Sequence, residues 1–232
     1  MKYFKINMYL LCTLSQENMD IAVAEVLALY KPKQYTQSNN LLFFQTKKKN
    51  IYKRLAYTNE VYHVLITSTY KSFHLQISKF RWNKHYKKSF CVRSFTKDVN
   101  EKEIAGCIWR TLKNPTVDLK NPKTFFGIFS LSGKVVVGRR LWTNEKEFLT
   151  RKAHLKPALH PSSLHPKLAR AMINLTGKTK GTIVDPFCGS GGILIEALFL
   201  GFDVIGSDLD PMMIQRAQTN IIHYHFKSRK YC

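Results

Sequence analysis

The residue types that could carry chemistry are concentrated between residues 182 and 210. An apolar run at 182–184 precedes a loop that contains Gly189, Gly191 and Gly192, and apolar residues then recur at helical spacing. This order predicts a strand, a tight loop and a helix. Because glycine lacks a Cβ atom, a ligand can lie against the backbone of the loop. The unpaired N–H groups of the first helical turn then favour an anionic group.

Acidic residues follow the predicted strands on both sides of this loop. Asp208 comes after a second apolar run at 203–206, about 20 residues beyond the glycines, where parallel nucleotide-binding sheets bind ribose hydroxyls. Asp185 precedes the loop and suits a cationic cofactor. It would lie near the sulfonium and ammonium groups of S-adenosylmethionine while the helix binds the carboxylate. We therefore predict S-adenosylmethionine as the cofactor.

A dehydrogenase that uses a nicotinamide dinucleotide is a weaker alternative. Leu194 occupies the third glycine position of the dinucleotide fingerprint. A glycine cluster alone is often a plain connection between a strand and a helix, but here strand, loop, helix and spaced acid agree. The residues expected to bind the cofactor are Asp185, Pro186, Phe187, Cys188, Gly189, Ser190, Gly191, Gly192, Asp208 and Asp210.

Three segments of the sequence together resemble a known family. They are 160–171 (HPSSLHPKLARA), 185–197 (DPFCGSGGILIEA) and 206–211 (GSDLDP). They resemble the archaeal-type THUMP-domain tRNA guanine-N2-methyltransferases, most strongly from Arg151 to Pro211. The resemblance implies S-adenosylmethionine-dependent methylation of the exocyclic N2 of a guanine in tRNA, at position 10. A ribosomal RNA guanine-N2-methyltransferase is an alternative within the same chemistry.

The upstream half shows a looser resemblance to the same family. Residues 119–122 (LKNP), 125–129 and 135–138 (VVVG) are similar to the end of a THUMP domain, the RNA-binding module of that family. The expected fold is α/β: a ferredoxin-like N-terminal part with a THUMP unit, then the first half of a Rossmann-like class I methyltransferase domain. The predicted divisions are an α/β subdomain at 1–50, a THUMP domain at 51–142, a linker at 143–156 and a partial methyltransferase domain at 157–232.

The net charge of +22 indicates a polyanionic partner, although a basic proteome would give the same sign. No acidic residue occurs between Glu60 and Asp98, where basic and aromatic residues alternate. Charge for phosphates and rings for exposed bases are typical of an RNA surface, so we expect tRNA as the partner. Phe90 and Phe95 are expected in the core. The predicted RNA-binding residues are Lys71, Lys79, Arg81, Trp82, Lys84, Tyr86, Lys87, Lys88 and Arg93.

Cysteine and histidine usage points away from disulfides and metals. The five cysteines are widely spaced and form no C-x-x-C pair, which favours a reducing, cytoplasmic setting and no zinc site. His160 and His165 both precede a proline closely and lack neighbouring carboxylates, so we predict turn-forming roles for them. No stretch is long and apolar enough to predict a membrane span.

The sequence contains no candidate for the catalytic acceptor. In the resembled family an Asp- or Asn-Pro-Pro-aromatic motif holds the amine that is methylated, and these 232 residues contain none. Two parallel strands also leave a sheet uncovered. We therefore expect residues 157–232 to form half of a doubly wound domain, to be completed by a complementary chain or by further residues. A non-catalytic RNA-binding THUMP protein or subunit is the main alternative.

Overall fold

The computed structural model describes residues 8–145 and 147–226. These residues form two compact units that alternate along the chain. The first unit contains 8–14, 32–47 and 59–143, and the second contains 15–31, 48–58 and the described residues from 144 onward. In the part of the chain that the structure describes, no helix is long and apolar enough to cross a membrane.

The first unit is built on a mixed sheet with two helices, α2 (Tyr70–Lys79) and α3 (Glu101–Thr111). The described strands follow the spatial order β2-β3-β1-β4-β7-β6-β5. The recorded pairings are antiparallel except that between β5 and β6, which is parallel. The strands are β1 (Met8–Leu14), β2 (Tyr35–Ser38), β3 (Leu41–Thr46), β4 (Thr58–Ser68), β5 (Phe90–Ser94), β6 (Thr124–Leu131) and β7 (Lys134–Thr143).

The core of this unit lies where the two helices cover the sheet. Phe73 and Ile77, one turn apart on α2, pack with Ile104 and Ile108 of α3 against buried residues of the strands. Asn100 caps α3 by accepting hydrogen bonds from the backbone N–H groups of residues 102 and 103. The outward faces of the two helices are exposed and include the apolar Leu75 and Trp109 beside polar residues.

The second unit contains a parallel pair of strands and four helices within the described residues. The strands β8 (Thr182–Asp185) and β9 (Asp203–Gly206) pair from Thr182↔Asp203 to Asp185↔Gly206. They are joined through a crossover helix, as parallel strands require. The helices are α1 (Met19–Tyr30), α4 (Pro166–Leu175), α5 (Gly192–Phe199) and α6 (Pro211–His223).

The helix α1 belongs to the second unit rather than to the strands that flank it in sequence. Its buried Glu25 accepts hydrogen bonds from the backbone N–H groups of Ala56 and Tyr57 at 2.8 and 2.9 Å and from Nδ2 of Asn174 on α4 at 2.6 Å. Burial raises the pKa of this carboxyl, and the hydrogen bonds oppose that shift. The division differs from the predicted subdomain at 1–50, because α1 packs on α4 while β1 to β3 lie in the other unit.

The secondary structure agrees with most of the sequence prediction. The pattern of apolar and turn residues predicts a strand at Leu41–Thr46, a helix at 101–112 and a hairpin with arms at 125–131 and 135–141, and the structure confirms all three. The sequence also predicts a helix at 51–57, and this prediction is wrong, since only Ile51–Arg54 form a 3-10 helix. Both β2 and α2 were absent from the prediction. The sequence further predicts a strand at 3–14; its residues from Met8 onward form β1, and its first residues lie outside the described residues.

Candidate functional site

The glycine loop, residues 186–191, connects the carboxyl end of β8 to the first turn of α5. Gly189 has a φ of +50° and Gly191 a φ of +84°, a left-handed conformation that side chains disfavour. A Cβ atom added to Gly191 would lie 3.1 Å from the Cβ of Ala217 on α6. Gly191 is therefore required both by its conformation and by the close approach of α6.

Asp208 is fixed against this loop by backbone hydrogen bonds. Its Oδ2 accepts from the N–H of Gly189 at 2.8 Å, and its Oδ1 accepts from the N–H of Asp210 at 3.1 Å. These bonds lower the pKa of Asp208 because they favour the charged carboxylate. The structure thus holds an ionised carboxylate beside the loop, at the end of the second parallel strand.

Asp185 and Asp210 occupy the adjacent strand end and helix start. The Oδ1 of Asp185 accepts from the N–H of Phe187 at 3.2 Å, which tightens the turn after β8. Asp210 caps α6, with its Oδ1 accepting from the N–H of Met212 at 2.8 Å. The carboxylate of Asp185 remains half-buried at the strand end, whereas that of Asp210 already serves the helix.

The two strand ends are cross-braced through their backbones. The N–H of Ser207 donates to the carbonyl of Asp185 at 3.0 Å, and the N–H of Cys188 donates to the carbonyl of Ser207 at 2.9 Å. Asp185 and Asp208 therefore come from adjacent parallel strands whose ends hold each other in register. This edge of a parallel sheet is where ligands bind in open α/β folds.

The remaining predicted cofactor-binding residues differ in accessibility. The Cys188 thiol is buried, which raises its pKa. The buried Ser190 hydroxyl is hydrogen-bonded to the Ser163 hydroxyl at 2.8 Å. Cys188 and Ser190 can therefore contact a ligand only through their backbone. Pro186 is exposed, and the ring of Phe187 is 77% exposed beside the loop. Gly192 begins α5 and contributes backbone N–H groups.

A buried charge cluster forms around Glu196 of α5, and sequence reasoning missed it. Glu196, 1% exposed, accepts at Oε1 from Nε of Arg151 at 2.7 Å and pairs at Oε2 with Nη2 of Arg170 at 2.6 Å. Both guanidinium groups also lie about the ring of Phe148, with centroid distances of 5.4 and 5.1 Å. A glutamate inside the apolar run GILIEALF was the available signal, since buried carboxylates require partners.

The predicted RNA-binding residues lie mainly on α2 and the segment after it. Arg93 is already paired with Glu101, Nη1 to Oε1 at 2.7 Å. The half-buried Tyr86 contacts the backbone of Asn114 and Thr116 through its hydroxyl, so its ring is held in place. The other basic side chains of the set are exposed: Lys71, Lys79, Arg81, Lys84, Lys87 and Lys88.

Two aromatic residues of this segment differ from expectation. Trp82 is fully buried, and its Nε1 donates to the carbonyl of Ile77 at 2.8 Å. The expectation that its ring contacts RNA is therefore wrong, because the ring fills the core beneath α2. Phe90 is buried as expected, but Phe95 is 54% exposed and stacks on Phe129 with ring centroids 4.8 Å apart.

The histidines of the 160–166 segment form turns, as predicted. The Nδ1 of His160 accepts from the N–H of Ser162 at 3.3 Å, and the Nδ1 of His165 accepts from the N–H of Lys167 at 3.2 Å, capping α4. Burial lowers the pKa of His165. Within residues 8–145 and 147–226, no group of three His, Cys, Asp or Glu residues could hold a metal ion.

The parallel strand pair, the glycine loop and the acid at the second strand end define a domain of the nucleotide-binding α/β class. The model of the UPF0020 family, described as an RMKL-like methyltransferase domain, matches residues 153–229. Among solved structures, TrmN from Thermus thermophilus superposes with a TM-score of 0.60 at 20% identity. The superposition covers 97% of this chain and 72% of the Thermus thermophilus chain, which confirms the α/β fold.

The relatives are tRNA (guanine(10)-N2)-dimethyltransferases. The Methanothermobacter thermautotrophicus protein is 36% identical over 183 residues, 76% of this chain and 54% of its own length. The Methanocaldococcus jannaschii protein is 30% identical over 91% of this chain and 70% of its length. The Pyrococcus abyssi protein is 33% identical over 90% of this chain and 66% of its own length. The chain belongs to this tRNA guanine-N2-methyltransferase family, and it spans about half to two-thirds of the length of these relatives.

Proposed function

We propose that the chain binds S-adenosylmethionine at the glycine loop and forms the cofactor- and tRNA-binding part of a tRNA guanine-N2-methyltransferase that acts on guanine 10. The observation that carries the proposal is the ionised Asp208, fixed on the N–H of Gly189 at 2.8 Å. It lies at the strand end where ribose hydroxyls bind in such sheets. When bound, S-adenosylmethionine supplies an electrophilic methyl group.

The residues at this strand edge fit that cofactor. Among the described residues, nothing lies within 4 Å of the position that a Cβ atom on Gly189 would occupy, so a ligand can approach the backbone there. Asp208 would bind the ribose, and Asp185 would face the cationic part of the cofactor. The first turn of α5 would bind the carboxylate.

We further propose tRNA as the partner and the cytoplasm as the location. The exposed lysines on α2 and after it support RNA binding, because a dense positive surface releases counterions from phosphates. We keep residues 51–142 as the proposed THUMP domain. The relatives named for tRNA methylation support tRNA rather than ribosomal RNA as the substrate.

We assign no catalytic acceptor among the 232 residues, since no Asx-Pro-Pro-aromatic motif is present. Guanine N2 is a poor nucleophile, and the enzyme needs oxygen acceptors that orient its hydrogens. We propose that polypeptide outside these residues supplies them and completes the sheet. Val184 and Ile205, partners across β8 and β9, both have exposed apolar side chains, which supports a further covering layer.

Transfer of labelled methyl from S-adenosylmethionine to unmodified tRNA tests the proposal. The chain is assayed alone and with extract from its own source, each beside Asp208→Asn. Asp20→Asn, the same chemical change at an exposed position, is the matched control. Methyl transfer that requires extract, is lost in Asp208→Asn and persists in Asp20→Asn supports the proposal.

The alternatives give different results in the same assay. A non-catalytic RNA-binding subunit would bind tRNA without binding S-adenosylmethionine and without stimulating transfer. A ribosomal RNA enzyme would label ribosomal RNA transcripts in preference to tRNA. Either pattern would overturn the assignment to tRNA methylation.

A further inference from the structure

Lys156 is a buried cation beside the first turn of α5. The residue is 6% exposed, and its Nζ lies 3.9 Å from the position that a Cβ atom on Gly192 would occupy. Among the described residues, Nζ makes no hydrogen bond and no ion pair. A charged group on a side chain this deeply buried is costly to hold without a partner, so its position needs an explanation.

The neighbouring carboxylate is already used by other cations. Both oxygens of Glu196 are bound by Arg151 and Arg170, at 2.7 and 2.6 Å. Glu147, the other acid near these arginines, is exposed and lies 3.8 Å from Nη1 of Arg151. Three cations therefore face two carboxylates, and one positive charge is left over. Burial lowers the pKa of Lys156, and the field of Glu196 opposes that shift.

The start of α5 also lacks its own partners. Gly191 provides no side-chain cap, whereas His165 and Asp210 cap α4 and α6 with side-chain atoms. Within the described part of the chain, the N–H groups of Gly192 and Ile193 donate no hydrogen bond. Unpaired N–H groups and the Lys156 ammonium thus lie at the same first turn of α5, and an anion satisfies both.

We propose that Lys156 and the N-terminus of α5 together bind the carboxylate of the methionine moiety of S-adenosylmethionine, an inference that rests on the proposed function. The carboxylate accepts hydrogen bonds from the ammonium and from the helix N–H groups at once. Lys156 is too buried to serve a tRNA phosphate at the surface. Arg151 and Arg170 already bind both oxygens of Glu196, which leaves the charge of Lys156 available for the carboxylate of the ligand.

Calorimetric titration with two ligands tests this role. S-adenosylmethionine carries the carboxylate, while decarboxylated S-adenosylmethionine keeps the sulfonium and the ammonium without it. We expect Lys156→Gln to weaken S-adenosylmethionine binding by about 10- to 100-fold, the range for a charge-assisted hydrogen bond. The same variant should change the affinity for the decarboxylated ligand less than about twofold, since that ligand has no carboxylate for Lys156 to bind.

Two further variants complete the comparison. Lys156→Arg keeps the charge and should retain most of the affinity for S-adenosylmethionine. Lys178→Gln makes the same chemical change at an exposed position of the same unit and should affect neither ligand.

Thermal unfolding without ligand separates a binding role from a structural one. Because Lys156→Gln removes an unpaired charge from a buried side chain, we expect the unliganded variant to melt about 2–4 °C higher than the wild type. A lysine that only supports the fold would instead lower the melting temperature and weaken both ligands equally. That result overturns the inference, as does unchanged S-adenosylmethionine binding by Lys156→Gln. If neither ligand binds the wild type, the proposed function fails as well.

Discussion

Removal of Glu196 should destabilise the second unit strongly. Glu196→Ala leaves Arg151 and Arg170 buried without their carboxylate, which they bind at 2.7 and 2.6 Å. Breaking a buried ion pair in this way costs about 3–5 kcal/mol. The upper part of this range applies because Lys156 adds a third nearby cation whose repulsion Glu196 offsets. At about 2–4 °C for each kcal/mol in a chain of this size, a cost of about 4–5 kcal/mol should lower the melting temperature by about 8–20 °C.

Urea unfolding followed by two signals localises the effect. The three tryptophans, Trp82, Trp109 and Trp142, all lie in the first unit, so their fluorescence follows that unit. Far-UV circular dichroism follows the helices of both units. We expect Glu196→Ala to shift the dichroism transition to lower urea concentration more than the fluorescence transition.

Two controls bound the interpretation of this experiment. Glu103→Ala removes an exposed carboxylate paired with His74 at 3.4 Å and should cost no more than about 1 kcal/mol. The triple variant Arg151→Met, Arg170→Met, Glu196→Leu should be near neutral or more stable by about 1–4 kcal/mol, because desolvation of the cluster is removed with its charges. A Glu196→Ala variant within about 1 kcal/mol of the wild type would refute this account of the buried cluster.

Three other predictions follow from the loop and the basic segment. Gly191→Ala should lower the free energy of unfolding by more than about 1 kcal/mol and weaken S-adenosylhomocysteine binding at least tenfold, roughly the cost of a strained φ plus a displaced α6. Gly133, the control position, has a φ of +75° and nothing described within 4 Å, so Gly133→Ala should cost only the strain. Equal losses of stability in the two variants would contradict the packing argument. The pKa of Asp208 is lowered on folding, so its stabilising contribution should be complete above its ordinary pKa of about 3.9 and lost as the pH falls through the lower folded value. Acid unfolding followed by circular dichroism should show this pH-dependent loss of stability in the wild type and not in Asp208→Asn. Replacing Lys84, Lys87 and Lys88 together by Gln should weaken tRNA binding at about 150 mM salt and reduce the slope of log K against log salt by about 0.9 for each phosphate that these lysines neutralise. An unchanged slope in filter-binding assays would show that these lysines do not contact the phosphates of the tRNA.

The loop could be predicted from sequence because its determinants are local. Gly189 and Gly191 lie in the loop between strand and helix that the sequence predicts, and Asp208 lies at the expected strand end. A strand, a turn and a helix within about 25 residues carry this information in their own periodicity. The site could therefore be predicted without knowledge of the rest of the fold.

The helix α2 and the position of Trp82 could not be predicted for the opposite reason. Only Phe73 and Ile77 of α2 are buried, and the lysines and rings around them imitate a surface segment. Whether Trp82 stacks on a ligand or fills the core depends on Phe126 of β6, whose ring lies 5.0 Å away although it is distant along the chain. Such contacts are not visible in local patterns.

Glu196 and Lys156 show the same limitation at the site. Glu196 finds Arg151 45 residues earlier in the chain, and Lys156 approaches Gly192 from the segment predicted as a plain linker. Sequence periodicity marks which residues are buried but not which charges meet. The buried charges behind α5 therefore emerge only from the tertiary structure.

Calorimetric titration of the purified chain with S-adenosylhomocysteine tests the central claim most directly. We predict binding at one site per chain, a loss of at least tenfold in affinity in Asp208→Asn, about the value of one charged hydrogen bond, and no change in Asp20→Asn. NAD should not bind, since Leu194 replaces the third glycine of its fingerprint. Absence of S-adenosylhomocysteine binding, or equal affinity in Asp208→Asn, would contradict the assignment of this strand edge as the cofactor site.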